Sequence, residues 1–155
     1  GKWNMTASHD ENKHVVLMYA SVGKIYERYE RNKRAMKHVF FTIEGGDEKL
    51  LDDEEHIILT LKNTADAVKA TLLKTSSHKF HPCGVTAVAL LSESHISIHS
   101  WPELGKAACD IFTCGNHTQP ELGVEIMQTA FAASKVTNLK NVNRGNWDSV
   151  CTTEK

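Results

Sequence analysis

The run with the greatest potential for chemistry is ESHISIH, at positions 93–99. It places one carboxylate, two hydroxyls and two imidazoles within seven residues, between stretches rich in β-branched and apolar residues. Such stretches favour β-strands, in which alternate side chains share a face of the sheet. Ser97, His99 and Trp101 therefore lie on one face of the predicted strand, and the isoleucines between them lie on the other.

The Glu93–Ser94 peptide bond is a candidate for self-cleavage. A serine hydroxyl can attack the preceding carbonyl carbon and form an ester; elimination and loss of ammonia then leave a pyruvoyl group. This chemistry needs strain at the peptide, a donor for the oxyanion and a base for the α-proton of the serine. An isolated Glu-Ser pair is usually an ordinary turn, because serine is common in turns. The motif HISIHSWPE that follows favours the chemical interpretation here.

Longer motifs around this bond resemble those of one enzyme family. The segments LSESHISIHSWPE, DIFTCG and HKFHPCGV resemble the processing and catalytic segment of the prokaryotic S-adenosylmethionine decarboxylases. The resemblance covers roughly residues 50–145, and KHVVLMY near the start also fits. It implies a pyruvoyl cofactor that the chain generates from Ser94 and that forms a Schiff base with the substrate amine.

The resemblance also implies roles in processing and catalysis. Cleavage is expected between Glu93 and Ser94, giving chains 1–93 and 94–155. His99 matches the base in processing, and Thr86 takes part where the family commonly has serine. Cys114 matches the acid that protonates the substrate carbanion once carbon dioxide has left, a task that suits the pKa of a thiol.

Three further residues match the family's substrate pocket. Phe80 matches a residue that stacks on adenine, and an aromatic face also attracts a sulfonium cation. Glu103 matches the position that binds two ribose hydroxyls, and Trp101 is placed to line the pocket. By spacing alone, Phe80 could equally be a core residue and Glu103 a solvated turn charge.

These matches imply decarboxylation of S-adenosylmethionine to the aminopropyl donor for polyamine synthesis, that is, for spermidine. Some relatives of the family are thought to act on amino acids, so a pyruvoyl-dependent arginine or ornithine decarboxylase is the alternative among enzymes. An unprocessed, non-catalytic relative that acts as a binding module is the alternative outside them.

The abundance of histidine and cysteine also raises the possibility of a zinc site. The chain has nine His and four Cys, but none is arranged as C-x2-C or H-E-x-x-H. We therefore rank zinc below the pyruvoyl group and predict no metal. Cys109 is expected to be a small buried residue on the strand face opposite Cys114. His95 could orient the substrate or have no role, and Asp110 is interpreted as a solvent-facing strand residue.

Composition limits the class of protein. The 155 residues suit a single domain, 1–155, and the net charge of −1 offers no basic excess for nucleic acid. The apolar runs are too short to span a bilayer, and the start lacks a secretory signal pattern, so no membrane association and a cytoplasmic location are expected.

The pattern of apolar residues predicts an α+β two-layer sandwich, in which two main helices pack on one face of an antiparallel sheet. The other face is then available for substrate or for a second copy, and a homodimer of processed protomers is expected. We interpret residues 21–49 as an insertion after a first strand at 14–20, and residues 146–155 as a tail. Within the insertion we predict a helix over 22–37 and a strand over 39–43. The other predicted strands are 71–80, with a polar bend at 76–78, 85–91, 95–100, 107–113 and 136–142. One of the two main helices follows residue 52, and the other runs over 120–134.

Overall fold

The computed structural model describes residues 35–146. Within this range no helix is long and apolar enough to cross a membrane. The described residues form six strands and three α-helices. In chain order these are β1 (Ala35–Glu44), α1 (Glu48–Leu51), α2 (Glu54–Ala67), β2 (Leu72–Lys79), β3 (Val85–Leu91), β4 (Ser94–Trp101), β5 (Lys106–Cys114), α3 (Pro120–Ala130) and β6 (Lys135–Asn146).

The strands form one antiparallel sheet in the order β2-β3-β4-β5-β1-β6. The run from β2 to β5 is a meander with short connections, which suits antiparallel pairing. β1 lies between β5 and β6, although both follow it much later in the chain. The two longer helices pack on one side of the sheet, so the predicted α+β sandwich is confirmed.

Helix α2 begins where local sequence favours it. The side chain of Asp53 accepts a hydrogen bond from the backbone N–H of His56 at 3.1 Å, and acidic residues occupy the first turn. Ile57, Leu61 and Ala65 are buried on one face of the helix and pack into the core. Burial of this apolar face is what holds the helix to the sheet.

Helix α3 approaches the sheet closely at Gly123. A Cβ at this position would lie 2.4 Å from Cδ1 of Ile111 in β5 and 2.9 Å from Cγ2 of Thr64 in α2. Glycine therefore allows a helix–sheet distance that no larger residue would permit without movement of its neighbours.

Alternate residues of each central strand point toward the helices and form the core. Val39, Phe41 and Ile43 of β1 and Ile96 and Ile98 of β4 are examples, all buried. The other side of the sheet, which no described helix covers, is called the open face here. It carries His38, Phe40, Thr86, Leu90, His95, Ser97, His99, Trp101, Asp110, Phe112, Cys114 and Val142.

The segment interpreted as an insertion, 21–49, is part of the framework from residue 35 onward. β1 pairs with β5 on one side and β6 on the other, so residues 35–44 form an interior strand of the sheet. The helix predicted over 22–37 is wrong at its end, because residues 35–37 begin β1 and the apolar period there is two. The predicted strand 14–20 lies outside the described residues.

Several element boundaries differ from the predicted ones. β2 runs without the polar bend expected at 76–78, because Ser76, Ser77 and His78 pair with β3. Helix α3 ends at Ala130, since Ala132 has a φ of 51° and has left the helical conformation. Residue 146, predicted to start a tail, is the last residue of β6.

Candidate active site

The Glu93–Ser94 bond lies in the tight turn between β3 and β4. Glu93 has a φ of 64°, in the left-handed region. For a residue with a Cβ this conformation costs about 1–2 kcal/mol, and glutamate lacks the short polar side chain with which Asn or Asp compensates. The turn therefore stores backbone strain at the residue whose carbonyl carbon Ser94 would attack.

The hydroxyl of Ser94 is held by two contacts. It donates to the carbonyl oxygen of Ser92 at 3.2 Å and accepts from the backbone N–H of Cys114 at 3.3 Å. The end of β5 is thus in direct contact with the start of β4. Cys114 is half-buried on the open face, so the structure brings together the predicted pyruvoyl precursor and the residue predicted as proton donor.

Cys109 has different surroundings on the same strand. It is buried on the helix side, where burial raises the pKa of its thiol far above the usual range. A thiol in this position stays protonated and acts as a small apolar residue, which agrees with its expected role.

A cavity of about 370 Å³ opens at the other end of β4. Thr86 and His99 are directly opposite each other on β3 and β4, with 3.1 Å between Oγ1 of Thr86 and Nδ1 of His99. All three residues predicted to bind substrate line the same cavity. The lining residues are Phe80, Cys83, Gly84, Thr86, His99, Ser100, Trp101 and Glu103.

Two contacts shape the walls of this cavity. The thiol of Cys83 donates to Oε1 of Glu103 at 3.2 Å, and this hydrogen bond raises the pKa of Cys83. Next to Cys83, the backbone N–H of Gly84 donates to Asp52 at 2.8 Å, and Asp52 pairs with Lys79 at 2.9 Å. The bond from Gly84, with that from Lys79, holds the pKa of Asp52 below its usual value. The loop that carries Cys83 is therefore fixed to the start of α2.

The predicted residues fall into two groups that lie apart in the sheet. Ser94 and Cys114 form one, and the cavity with Thr86 and His99 forms the other. Ser94 and His99 are five positions apart on β4. At about 3.3 Å per residue this separates them by roughly 16 Å, which is too far for direct proton transfer within one chain.

A third group, centred on Asp110, was missed by the sequence analysis. Asp110 is not simply solvent-facing: its carboxylate accepts hydrogen bonds from Ser97 Oγ, His38 Nε2 at 2.7 Å and His95 Nε2 at 2.8 Å. Burial raises the pKa of Asp110, but the three hydrogen bonds outweigh it and leave the pKa below its usual value. We call Asp110, His38, His95 and Ser97 the Asp110 cluster.

The Asp110 cluster contains ligand types that suit a divalent cation. The nearest ligand atoms of His38, His95 and Asp110 all lie within 4.8 Å of one another. However, Nη1 of Arg144 lies 3.4 Å from Nδ1 of His38, and a guanidinium is always positively charged. This charge opposes a cation, and the hydrogen bonds already satisfy the carboxylate.

The chain is similar to known proteins of one enzyme family. A family model described as S-adenosylmethionine decarboxylase matches residues 37–145. A protein of Methanococcus maripaludis named S-adenosylmethionine decarboxylase proenzyme is 45% identical over 113 residues, which cover 73% of this chain and 92% of that protein. A protein of the same name from Synechococcus is 52% identical over 85 residues, which cover 55% of this chain and 66% of that one.

A solved structure is also similar. The crystal structure of the adenosylmethionine decarboxylase from Aquifex aeolicus superposes with a TM-score of 0.67 at 28% sequence identity, covering 76% of this chain and 96% of that one. The family match starts at residue 37, with KHVFFTI, so the similar motif KHVVLMY nearer the start lies outside it. The match includes residues 37–49, which again places them in the common framework. This chain therefore belongs to the S-adenosylmethionine decarboxylase family.

Proposed function

We propose that this protein decarboxylates S-adenosylmethionine with a pyruvoyl group formed from its own Ser94, and so supplies the aminopropyl donor for spermidine synthesis. The observation that carries the proposal, in a chain of this family, is the left-handed Glu93 directly before Ser94, whose Oγ contacts the N–H of Cys114. Strain at the scissile peptide and a fixed nucleophile are what self-cleavage requires.

The proposed cleavage passes through an ester. Ser94 Oγ bonds to the carbonyl carbon of Glu93, the C–N bond to Ser94 breaks, and the freed nitrogen takes the hydroxyl proton. A base then removes the α-proton of Ser94, and the backbone carboxylate of Glu93 leaves from the β-carbon of Ser94. The β-carbon then takes up a proton, which turns the resulting enamine into an imine; water adds to the α-carbon and ammonia departs, which leaves a carbonyl there. The products are residues 1–93 and a second chain that begins at position 94.

The residues around Ser94 fit such a group. A pyruvoyl carbonyl supplies an electrophile for the substrate amine and an electron sink as carbon dioxide leaves. Cys114 lies next to Ser94, because its backbone N–H contacts Ser94 Oγ. We propose that the thiol of Cys114 donates a proton to the substrate α-carbon.

The cavity favours an adenosyl substrate over an amino acid. Phe80 and Trp101 supply aromatic faces for adenine and for the sulfonium cation, and Glu103 supplies acceptors for the ribose hydroxyls. Arginine and ornithine have neither an adenine ring nor a ribose, so Phe80, Trp101 and Glu103 would have no corresponding group to bind.

We further propose a homodimer in which two open faces meet. Phe40, Leu90, Trp101 and Val142 are large apolar side chains exposed on this face. In such a dimer, a region that lies away from the two-fold axis contacts a different region of the partner. The dimer can therefore bring His99 of the partner subunit to Ser94, which the same chain's His99 is too distant to reach. Two complete sites then form between the subunits.

A cytoplasmic location is also part of the proposal. Cys83, Cys109 and Cys114 are present as thiols rather than disulfides, as is usual in a reducing compartment. Recovery of these three thiols in reduced form from the native cell would support it.

Intact mass spectrometry of the purified chain tests self-cleavage. Wild type should give the fragment 1–93 and a blocked fragment from position 94, whereas Ser94→Ala should stay as one inactive chain. Ser92→Ala is the matched control, because it alters a hydroxyl in the same turn and should still cleave. A wild-type protein that stays uncleaved yet releases carbon dioxide from S-adenosylmethionine at a normal rate would refute the pyruvoyl mechanism, and an uncleaved, inactive one would favour a binding module.

Release of carbon dioxide from labelled S-adenosylmethionine, arginine and ornithine tests the substrate. We expect turnover of the first only. Phe80→Ala should raise KM about fivefold, since one stacking contact contributes about 1 kcal/mol. Leu104→Ala, an exposed apolar residue outside the cavity lining, is the control. Turnover of arginine or ornithine alone would refute the substrate while leaving the cleavage chemistry intact.

A further inference from the structure

Cleavage creates a problem that the fold must solve. In the intact chain, the turn at residues 92 and 93 ties Ser94 to β3. Once the bond after Glu93 is broken, position 94 becomes a chain end, and chain ends fray unless contacts hold them. A reactive carbonyl at that end has to keep its place closely, because a displacement of about 1 Å can cost on the order of a hundredfold in rate.

The first side chain after the cut is the one that reaches the Asp110 cluster. His95 Nε2 lies 2.8 Å from Oδ2 of Asp110, and the backbone of His95 pairs with Phe112. The same oxygen of Asp110 binds His38 on β1, while its other oxygen binds Ser97 on β4. One carboxylate thus links three strands at the start of the new chain.

The hydrogen-bond directions in the cluster are defined. A guanidinium can only donate, so Arg144 donates to Nδ1 of His38 and the proton of that imidazole lies on Nε2, where it faces Asp110. The ring of Phe112 packs against both imidazoles, with centroid distances of 5.4 Å to His38 and 5.8 Å to His95, and the two imidazole centroids are 6.0 Å apart. These contacts restrict rotation of the imidazole rings.

We propose that Asp110 is a positioning residue that anchors the new chain end through His95 after self-cleavage. The inference rests on the proposed function, because it concerns a chain end that exists only if cleavage occurs. Before cleavage the covalent turn holds Ser94, and the anchor is redundant. After cleavage, the His95–Asp110 contact is the side-chain restraint nearest to the reacting group.

The test compares Asp110→Asn in cleaved and uncleaved backgrounds by hydrogen–deuterium exchange of the backbone amides of residues 95–97. Asparagine offers one acceptor oxygen and cannot accept from both imidazoles and Ser97. In the cleaved protein we expect faster exchange, a kcat lower by about 10- to 100-fold and little change in KM. In the uncleaved Ser94→Ala background we expect the exchange to stay unchanged. Asp66→Asn, at an exposed position on α2, is the control in both backgrounds.

The outcomes are distinguishable. Equal acceleration of exchange in both backgrounds would mean that Asp110 is merely structural and would overturn the inference alone. Absence of cleavage in wild type would overturn the proposed function and this inference with it. If Asp110→Asn does not fold, His95→Gln and His95→Leu give the same test. Gln keeps an N–H donor and should retain more turnover than Leu, whereas equal turnover of the two would again overturn the inference.

Discussion

At the scale of single residues, one strand gives two cysteines opposite properties. Cys109 and Cys114 are separated by an odd number of positions on β5, so they lie on opposite faces of the sheet. Burial raises the pKa of the Cys109 thiol, whereas Cys114 is half-buried and its backbone N–H donates a hydrogen bond to Ser94 Oγ. This difference predicts different consequences of their removal.

We expect Cys114→Ala to cleave at Glu93 but to lose turnover by about a hundredfold or more, because a positioned proton donor contributes at least that much. Cys109→Ala is the matched control and should keep turnover while losing about 1 kcal/mol of stability. Intact mass, carbon dioxide release and thermal unfolding measure the three effects. A processed Cys114→Ala protein with near-normal turnover would remove this thiol from the mechanism.

The residues of the cavity and of the cleavage turn could be predicted because their motifs are contiguous in sequence. The Asp110 cluster could not, because its members come from three strands and meet only through the registers of β1 with β5 and of β4 with β5. The one available signal was the alternation of His95 and Ser97, which predicts a shared strand face. That signal does not indicate which residue of β5 lies opposite them, and so does not predict Asp110.

At the scale of elements, the turn between β3 and β4 connects two strands and contains the peptide bond that we propose is cleaved. Replacing Glu93 with glycine removes the cost of the left-handed conformation, about 1 kcal/mol or more. If that strain is released when the peptide becomes an ester, Glu93→Gly should cleave about fivefold more slowly. A time course of precursor mass after cell-free synthesis measures this rate.

Glu93→Gln is the control for this turn. It removes the charge and keeps the unfavourable φ, so it should cleave at the wild-type rate. Equal rates for glycine, glutamine and glutamate at this position would show that backbone strain does not drive cleavage. Slow cleavage of the glutamine variant would assign the effect to the carboxylate instead.

Most elements could be predicted from local patterns, but the place of β1 in the sheet could not. The apolar runs at 14–20 and 39–43 both predict strands, and a local pattern does not specify which of them pairs with β5 and β6. The pairing of β1 with those strands joins residues far apart in sequence: Phe41 and Cys109 are 68 positions apart, and Lys37 and Asn143 are 106 positions apart. Only that long-range register shows that residues 35–44 belong to the framework.

At the scale of the whole molecule, the separation of Ser94 from His99 predicts complementation between two inactive variants. Ser94→Ala and His99→Ala should each fail to cleave alone. Co-expressed, they form mixed dimers in which Ser94 of one chain meets His99 of the partner subunit. Fragments should then arise from the His99→Ala chain, identified by a mass tag.

The control for complementation is co-expression of His99→Ala with the double variant Ser94→Ala/His99→Ala, which offers no intact His99 and should give no fragments. Light scattering should report a dimer in both mixtures. A dimeric first mixture without cleavage would contradict a site shared between subunits. Cleavage in the control would show that a group other than His99 acts as the base in self-cleavage.

The strand order has a consequence for the refolding of a cleaved protein. Cleavage after Glu93 would assign β1, β2 and β3 to one fragment and β4, β5 and β6 to the other. In the sheet they alternate as β2-β3, β4-β5, β1 and β6, so three seams join the fragments. The two fragments cannot separate while the sheet persists. Full denaturation would release them as two molecules, whose reassociation is second order and therefore slows on dilution. The precursor folds as one chain, whereas the mature enzyme, once denatured, would depend on a bimolecular encounter that its synthesis never required.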